Sequence, residues 1–171
     1  MMKNGNVFGV QMKKYILKLE KENHNCSCEI SLTSGLSFAD LHTIIQIVFG
    51  CRDCCLHEFH VGNMVLGVLG DDEDVEKLPY NFKFEEDVNL EFVLLNYNKF
   101  RYICDNRLEL IITIQEILDV DKLENPKIIL INNDKTSDDN VSLFKIVKND
   151  KIYSDIEEIN LILAETFDIC I

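Results

Sequence analysis

Lys14-Tyr-Ile-Leu-Lys-Leu-Glu20, Cys26-Ser-Cys-Glu-Ile-Ser-Leu32 and Ser37-Phe-Ala-Asp-Leu-His-Thr-Ile-Ile-Gln-Ile-Val-Phe-Gly50 follow one another near the start of the chain, and the period of their apolar residues changes once, at Ser37. The first stretch alternates, with Tyr15, Leu17 and Leu19 on one face and Ile16, Lys18 and Glu20 on the other, as a half-buried strand requires. The second sets Cys26, Cys28, Ile30 and Leu32 against Ser27, Glu29 and Ser31, and the short polar link between them suits an antiparallel hairpin. In the third, Phe38, Leu41, Ile44, Ile45, Val48 and Phe49 form one apolar stripe at helical spacing. Ser37 is placed to cap that helix, Asp40 sits in its first turn, and Gly50 is placed to end it.

Further along, Leu56 to Val61 and Met64 to Leu69 read as strands joined at Gly62-Asn63, a dipeptide able to supply positive φ. Lys99 to Cys104, Leu108 to Gln115, Lys127 to Ile131 and Leu143 to Val147 read as further strands. Leu90 to Leu95 fits either a strand or a short helix capped by Asn89, because so short an apolar run does not separate the two. Pro79 to Asp87 shows no usable period, and Asp119 to Pro126 reads as a charged connection. Ser154 precedes Ile156, Ile159, Ile162 and Leu163 at helical spacing. The expected fold is α+β, a mostly antiparallel sheet with a long helix after the first hairpin and a C-terminal helix, in a single domain spanning 1–171.

The 30 Asp and Glu against 17 Lys and Arg leave a formal charge of -13. Phosphate backbones and anionic membranes repel such a chain, whereas a basic protein surface attracts it. We expect no direct contact with nucleic acid or membrane. Asp71, Asp72, Glu73, Asp74 and Glu76, followed by Glu85, Glu86 and Asp87, are the acids expected to form an acidic surface. No long apolar run suggests a membrane span, and the polar first residues suggest no secretory segment, so a cytoplasmic location is expected. In that compartment the seven cysteines are expected as reduced thiols.

The seven glycines build neither GxGxxG nor GxxxxGK[ST], there is no GxSxG elbow, and His57-Glu58-Phe59-His60 lacks one spacer residue of HExxH. We assign no catalytic residue. The densest reactive cluster is Cys51-Arg-Asp-Cys54-Cys55-Leu-His57-Glu-Phe-His60, whose thiols and imidazoles are potential zinc ligands. Against zinc, no second CxxC or HxxxH pair completes a recognised pattern, and alternation puts His57 and His60 on opposite faces. Packed thiols are the commoner fate of free cysteine, so no cofactor is expected and zinc remains the alternative.

Tyr15-Ile-Leu-Lys-Leu, Leu36-Ser-Phe-Ala-Asp-Leu-His42 through Gly50, and Leu56-His57-Glu58-Phe59 together resemble the plasmid pRiA4b ORF-3-like family. Phe100-Arg-Tyr102-Ile-Cys-Asp105 resembles that family's Tyr-x-Tyr-Asp segment, and Asp155-Ile-Glu-Glu-Ile-Asn160-Leu its C-terminal helix. The positions shared with its motifs are His42, His57, Glu58, Phe59, Tyr102 and Asp105. Cys51 stands where the family usually has Trp, and Cys55 replaces its first His. The resemblance implies an α+β fold and a mobile-element setting, without an established reaction. We therefore expect a non-enzymatic module that binds a basic protein, such as a nucleic-acid-binding protein that it inhibits as a decoy. The alternative is a metal-binding domain or metal-dependent enzyme centred on 51–60.

Overall fold

Strands β1 (Met12–Lys21) and β2 (Cys26–Thr33) pair antiparallel, with Tyr15 opposite Leu32 and Leu19 opposite Cys28. The computed structural model describes residues 11–21, 26–50, 56–70, 78–104, 108–133, 146–148, 151–153 and 156–169. Tyr15, Leu17, Leu19, Cys28, Ile30 and Leu32 are buried on the face that alternation assigned to them. Helix α1 (Phe38–Phe49) lies over that face and buries Phe38, Leu41, Ile44, Ile45, Val48 and Phe49. Its start is a capping box: the Asp40 N–H donates to Ser37 Oγ at 3.1 Å, and the Ser37 N–H donates to Asp40 Oδ2 at 2.8 Å. Its end is Gly50, at φ 64 and ψ 24, a left-handed conformation that glycine adopts without steric cost.

Strands β3 (His57–Val61) and β4 (Met64–Gly67) form the second hairpin. Beyond it come β5 (Phe82–Phe84), a 3-10 turn at Glu85–Asp87, and helix α2 (Leu90–Asn96). The Asn89 side chain accepts the Phe92 N–H at 2.9 Å, so the segment left open between strand and helix is a capped helix. Strands β6 (Lys99–Cys104), β7 (Leu108–Val120) and β8 (Lys127–Asn133) follow, then the short pair β9 (Ile146–Lys148) and β10 (Lys151–Tyr153), and helix α3 (Ile156–Phe167).

The main sheet has eight strands in the order β5-β4-β3-β6-β7-β1-β2-β8. Its pairs are antiparallel except β4 with β5. The helices supply the other half of one core, with Val93 and Leu94 from α2 and Ile159 and Leu163 from α3 joining the inward strand residues. On edge strand β8, the Asn160 side chain of α3 accepts the Ile128 N–H at 2.6 Å and donates to the Ile128 carbonyl at 3.1 Å. That amide occupies backbone groups which an open edge would offer to another chain.

The expected fold needs correcting. Helix α1 is 12 residues, about 18 Å at 1.5 Å per residue, because Gly50 stops it after three turns. It is not the long helix expected after the first hairpin. Among the described residues an eight-stranded mixed sheet dominates instead, with three helices, and the mostly antiparallel pairing is the part that agrees. Strand β7 also runs to Val120, well past Gln115, carried by its antiparallel pairing with β1 on either side of a bulge at Ile16/Leu17. Among the described residues, no helix is long and apolar enough to cross a membrane.

Buried protons in this core, those of Cys28 and Tyr15 above all, with Cys26 also raised by burial, make stability sensitive to alkali. Burial raises the Cys28 thiol well above its ordinary 9.0, with lesser contributions from Cys26 and Glu29. The Tyr15 hydroxyl is raised above its ordinary 10.0 first by burial, then by Glu91, whose Oε1 accepts its hydrogen at 2.8 Å. The fold holds these protons where the unfolded chain releases them, so their contribution is complete below pH 9 and is lost as pH rises past 9 and then 10. Denaturant midpoints measured from pH 8 to 11 should fall, with a smaller fall in Cys28→Ala. A flat profile over that range would contradict the assignment.

Candidate functional site

Strand β3 turns His57, Phe59 and Val61 inward and leaves Glu58 exposed and His60 half-buried. Its register with β6 sets His57 opposite Cys104 and Phe59 opposite Tyr102. Helix α1 lowers His42 onto the same place, and the two imidazoles stack with centroids 3.6 Å apart and planes 9° from parallel. His42 Nδ1 and the Tyr102 hydroxyl are hydrogen-bonded at 2.9 Å. The Phe59 ring lies 5.6 Å from His57 and 5.1 Å from Tyr102.

The 3-10 turn sends Glu85 in to meet His57. The side chains are 8% and 4% exposed, and His57 Nε2–H donates to Glu85 Oε2 at 2.7 Å, since an ionised carboxylate only accepts. His57 Nδ1 is buried without a hydrogen-bond partner. Such an atom is unusual, because buried polar groups are paired almost without exception. Gly67 makes room here, since a Cβ on it would stand 3.0 Å from the His57 carbonyl oxygen and 3.3 Å from the Phe82 ring.

Glu85 also lines the surface. A cleft of about 270 Å³ lies between the first turn of α1, the end of β4 and the 3-10 turn, lined by Ser37, Phe38, Val68, Leu69, Phe84, Glu85 and Glu86 among others. A second cleft of about 370 Å³ shares Ser37, Glu85 and Glu86 and adds Asp87 and Glu91.

Of the positions shared with the family motifs, His42, His57, Phe59 and Tyr102 are thus brought together. Glu58 is on the opposite face, where its Oε2 accepts from His60 Nε2 at 2.7 Å, and Asp105 lies outside the described residues. Of the candidate zinc ligands, His57 and His60 face opposite sides of the sheet, so one ion cannot take both; Cys51, Cys54 and Cys55 lie outside the described residues. Among the described residues no group of three His, Cys, Asp or Glu is placed to hold a metal.

Asp71, Asp72, Glu73, Asp74 and Glu76 also lie outside the described residues, while Glu86 and Asp87 are exposed. Glu85 is a correction, because it is buried against His57 rather than displayed on an acidic surface. A second correction concerns the thiols: Cys26 and Cys28 are free and buried, but Cys104 is disulfide-bonded. Sequence reasoning missed Glu85 as a partner of His57, because it sits 28 positions away in a stretch without period.

Comparison with curated proteins finds no match. Among solved structures, a protein of unknown function from Methanosarcina mazei Go1 is similar, at 23% identity and a TM-score of 0.57, over 71% of this chain and 70% of that one. That likeness concerns the fold. The family model described as plasmid pRiA4b ORF-3-like protein matches residues 11–168. With nearly the whole described chain inside that match, and with His42, His57, Phe59 and Tyr102 gathered at one place, the chain belongs to the plasmid pRiA4b ORF-3-like family.

Proposed function

We propose that this protein is a non-enzymatic interaction module of the cytoplasm, from a mobile-element setting, that binds a basic protein through the acidic face of its helical layer. The observation that supports this reading is a separation of charge between the two layers. Every Lys and Arg lying within a described strand or helix lies in a strand, as Lys13, Lys14, Lys18, Lys99, Arg101 and Lys127 do. Several are already engaged: Lys13 with Asp119 at 2.9 Å, Lys14 with Glu124 at 2.8 Å, and Arg101 with Glu109. The helices and the 3-10 turn carry Asp40, Glu86, Asp87, Glu91, Glu157, Glu158 and Glu165 and, within those elements, no Lys or Arg.

A nucleic-acid-binding protein, inhibited by a decoy that covers its basic surface, is the partner such a face fits. Direct binding of phosphate backbones is disfavoured by the same field. A partner isolated by affinity capture should lose at least about tenfold in affinity as salt rises from roughly 0.05 M to 0.5 M, because exposed attraction is screened over a few ångströms at the higher value. Calorimetric titration at several salt concentrations measures this, and an affinity indifferent to salt contradicts the proposal.

A second reading, a metal-binding centre, draws on His57 Nδ1. A histidine oriented by a carboxylate through one nitrogen, with the other bare, is how metal ligands are commonly held. His42 is not the second ligand, because the in-plane lone pairs of parallel rings do not converge on one ion. This reading predicts stoichiometric zinc in protein purified without chelator, lost in His57→Ala that remains folded. Elemental analysis without zinc removes it.

A further inference from the structure

We propose that the cleft between the first turn of α1 and the 3-10 turn receives one cationic side chain, lysine or arginine, of the basic partner. The inference rests on the acidic-layer proposal and names the place within that layer where a single residue is held.

At about 270 Å³ the cleft falls below the roughly 300–1,000 Å³ usual for small-molecule sites. That size suits one side chain. Phe38, Val68, Leu69 and Phe84 give it apolar walls, against which the methylene stem of a lysine or arginine packs, while Glu85 and Glu86 supply carboxylates for the charged head. The adjoining cleft adds Asp87 and Glu91, and among the described residues neither cleft is lined by a Lys or Arg.

Glu85 gives this place more than surface charge. Its side chain is only 8% exposed, its Oε2 is held at 2.7 Å by His57, and the His57 ring is clamped by the stacked His42. A carboxylate fixed in this way loses little side-chain freedom on binding, and its second oxygen has capacity for a further donor. A freely rotating surface glutamate lacks the first of these advantages. The partly closed, apolar-walled setting also screens the attraction less than open water does.

The test uses the full chain, labelled with nitrogen-15, and three five-residue peptides that differ at the centre: arginine, lysine or the neutral citrulline, flanked by glycines. The arginine and lysine peptides should shift the amides of Ala39, Gly67, Val68 and Glu86, and the citrulline peptide should not at the same concentration. Glu85→Gln should weaken the cationic peptides about tenfold, the scale of a hydrogen bond to a charged group. Glu86→Gln, an exposed position that leaves His57 untouched, should weaken them about threefold; it carries the comparison if Glu85→Gln loses its dispersed spectrum. Equal shifts with citrulline, or no shift at these amides, overturn the inference. Charge-dependent shifts confined to α3 overturn the cleft and leave the acidic layer standing. Charge-independent behaviour everywhere sinks both.

Discussion

Phe59→Ala is expected to lower stability by about 3–5 kcal/mol, the range for removing a fully buried phenylalanine and leaving a cavity. Phe59 is 0% exposed, and its ring touches both halves of the structure: Phe38 of α1 at 4.9 Å, and Phe100 and Tyr102 of β6 at 6.3 and 5.1 Å. Tilted aromatic contacts of this kind add to the area term, and none of the neighbouring rings can shift to fill the void without leaving its own contacts. Stability of the usual 5–15 kcal/mol would be largely consumed. Urea unfolding followed by circular dichroism measures the loss. A cost below about 1 kcal/mol would mean that α1 does not pack on β3 as described.

Glu85→Ala should cost about 2–4 kcal/mol, between the penalty for one unsatisfied buried group and that for a broken buried pair. His57 Nδ1 already lacks a partner, so loss of Glu85 Oε2 would leave both ring nitrogens buried and unpaired. Water entering through the cleft that Glu85 lines offsets part of the cost, which is why the lower end of the range is included. A double-mutant cycle separates the pair from the packing. His57→Phe removes both nitrogens, so Glu85→Ala should cost much less in that background than in the native chain. Additive costs would show that the two side chains are not energetically coupled.

The parts of this fold readable from sequence are those set by local period. Tyr15, Leu17 and Leu19 alternate because successive strand residues point to opposite faces, and Phe38 to Phe49 keeps a helical stripe because one side meets the sheet. The opposition of His57 and His60 follows from the same alternation. Even the shortness of α1 was present in Gly50, whose left-handed turn ends the helix; expecting a long helix gave the apolar stripe more weight than the stop. What escaped depends on contacts between distant segments. Strand β5 has three residues, too few for any period, and exists through its parallel pairing with β4. Glu85 looked like one acid among several until the 3-10 turn carried it under α1, and Cys104 sits on an apolar face that gives no sign of its disulfide. The absence of Lys and Arg from the helices was visible in the sequence, but it acquires meaning only once the helices occupy one layer.

The claim that the helical layer is the binding face is best tested by neutralising equal charge on the two sides of the sheet. One variant carries Glu157→Gln, Glu158→Gln and Glu165→Gln on α3; the other carries Glu29→Gln, Glu58→Gln and Glu116→Gln on β2, β3 and β7. Both change net charge by the same amount, so a general field affects them alike. Affinity for an arginine-rich peptide, measured by calorimetry at low salt, should fall about tenfold for the α3 variant and stay within about twofold of the native chain for the strand variant. Equal losses in the two variants would show that overall charge, and not the helical face, does the binding.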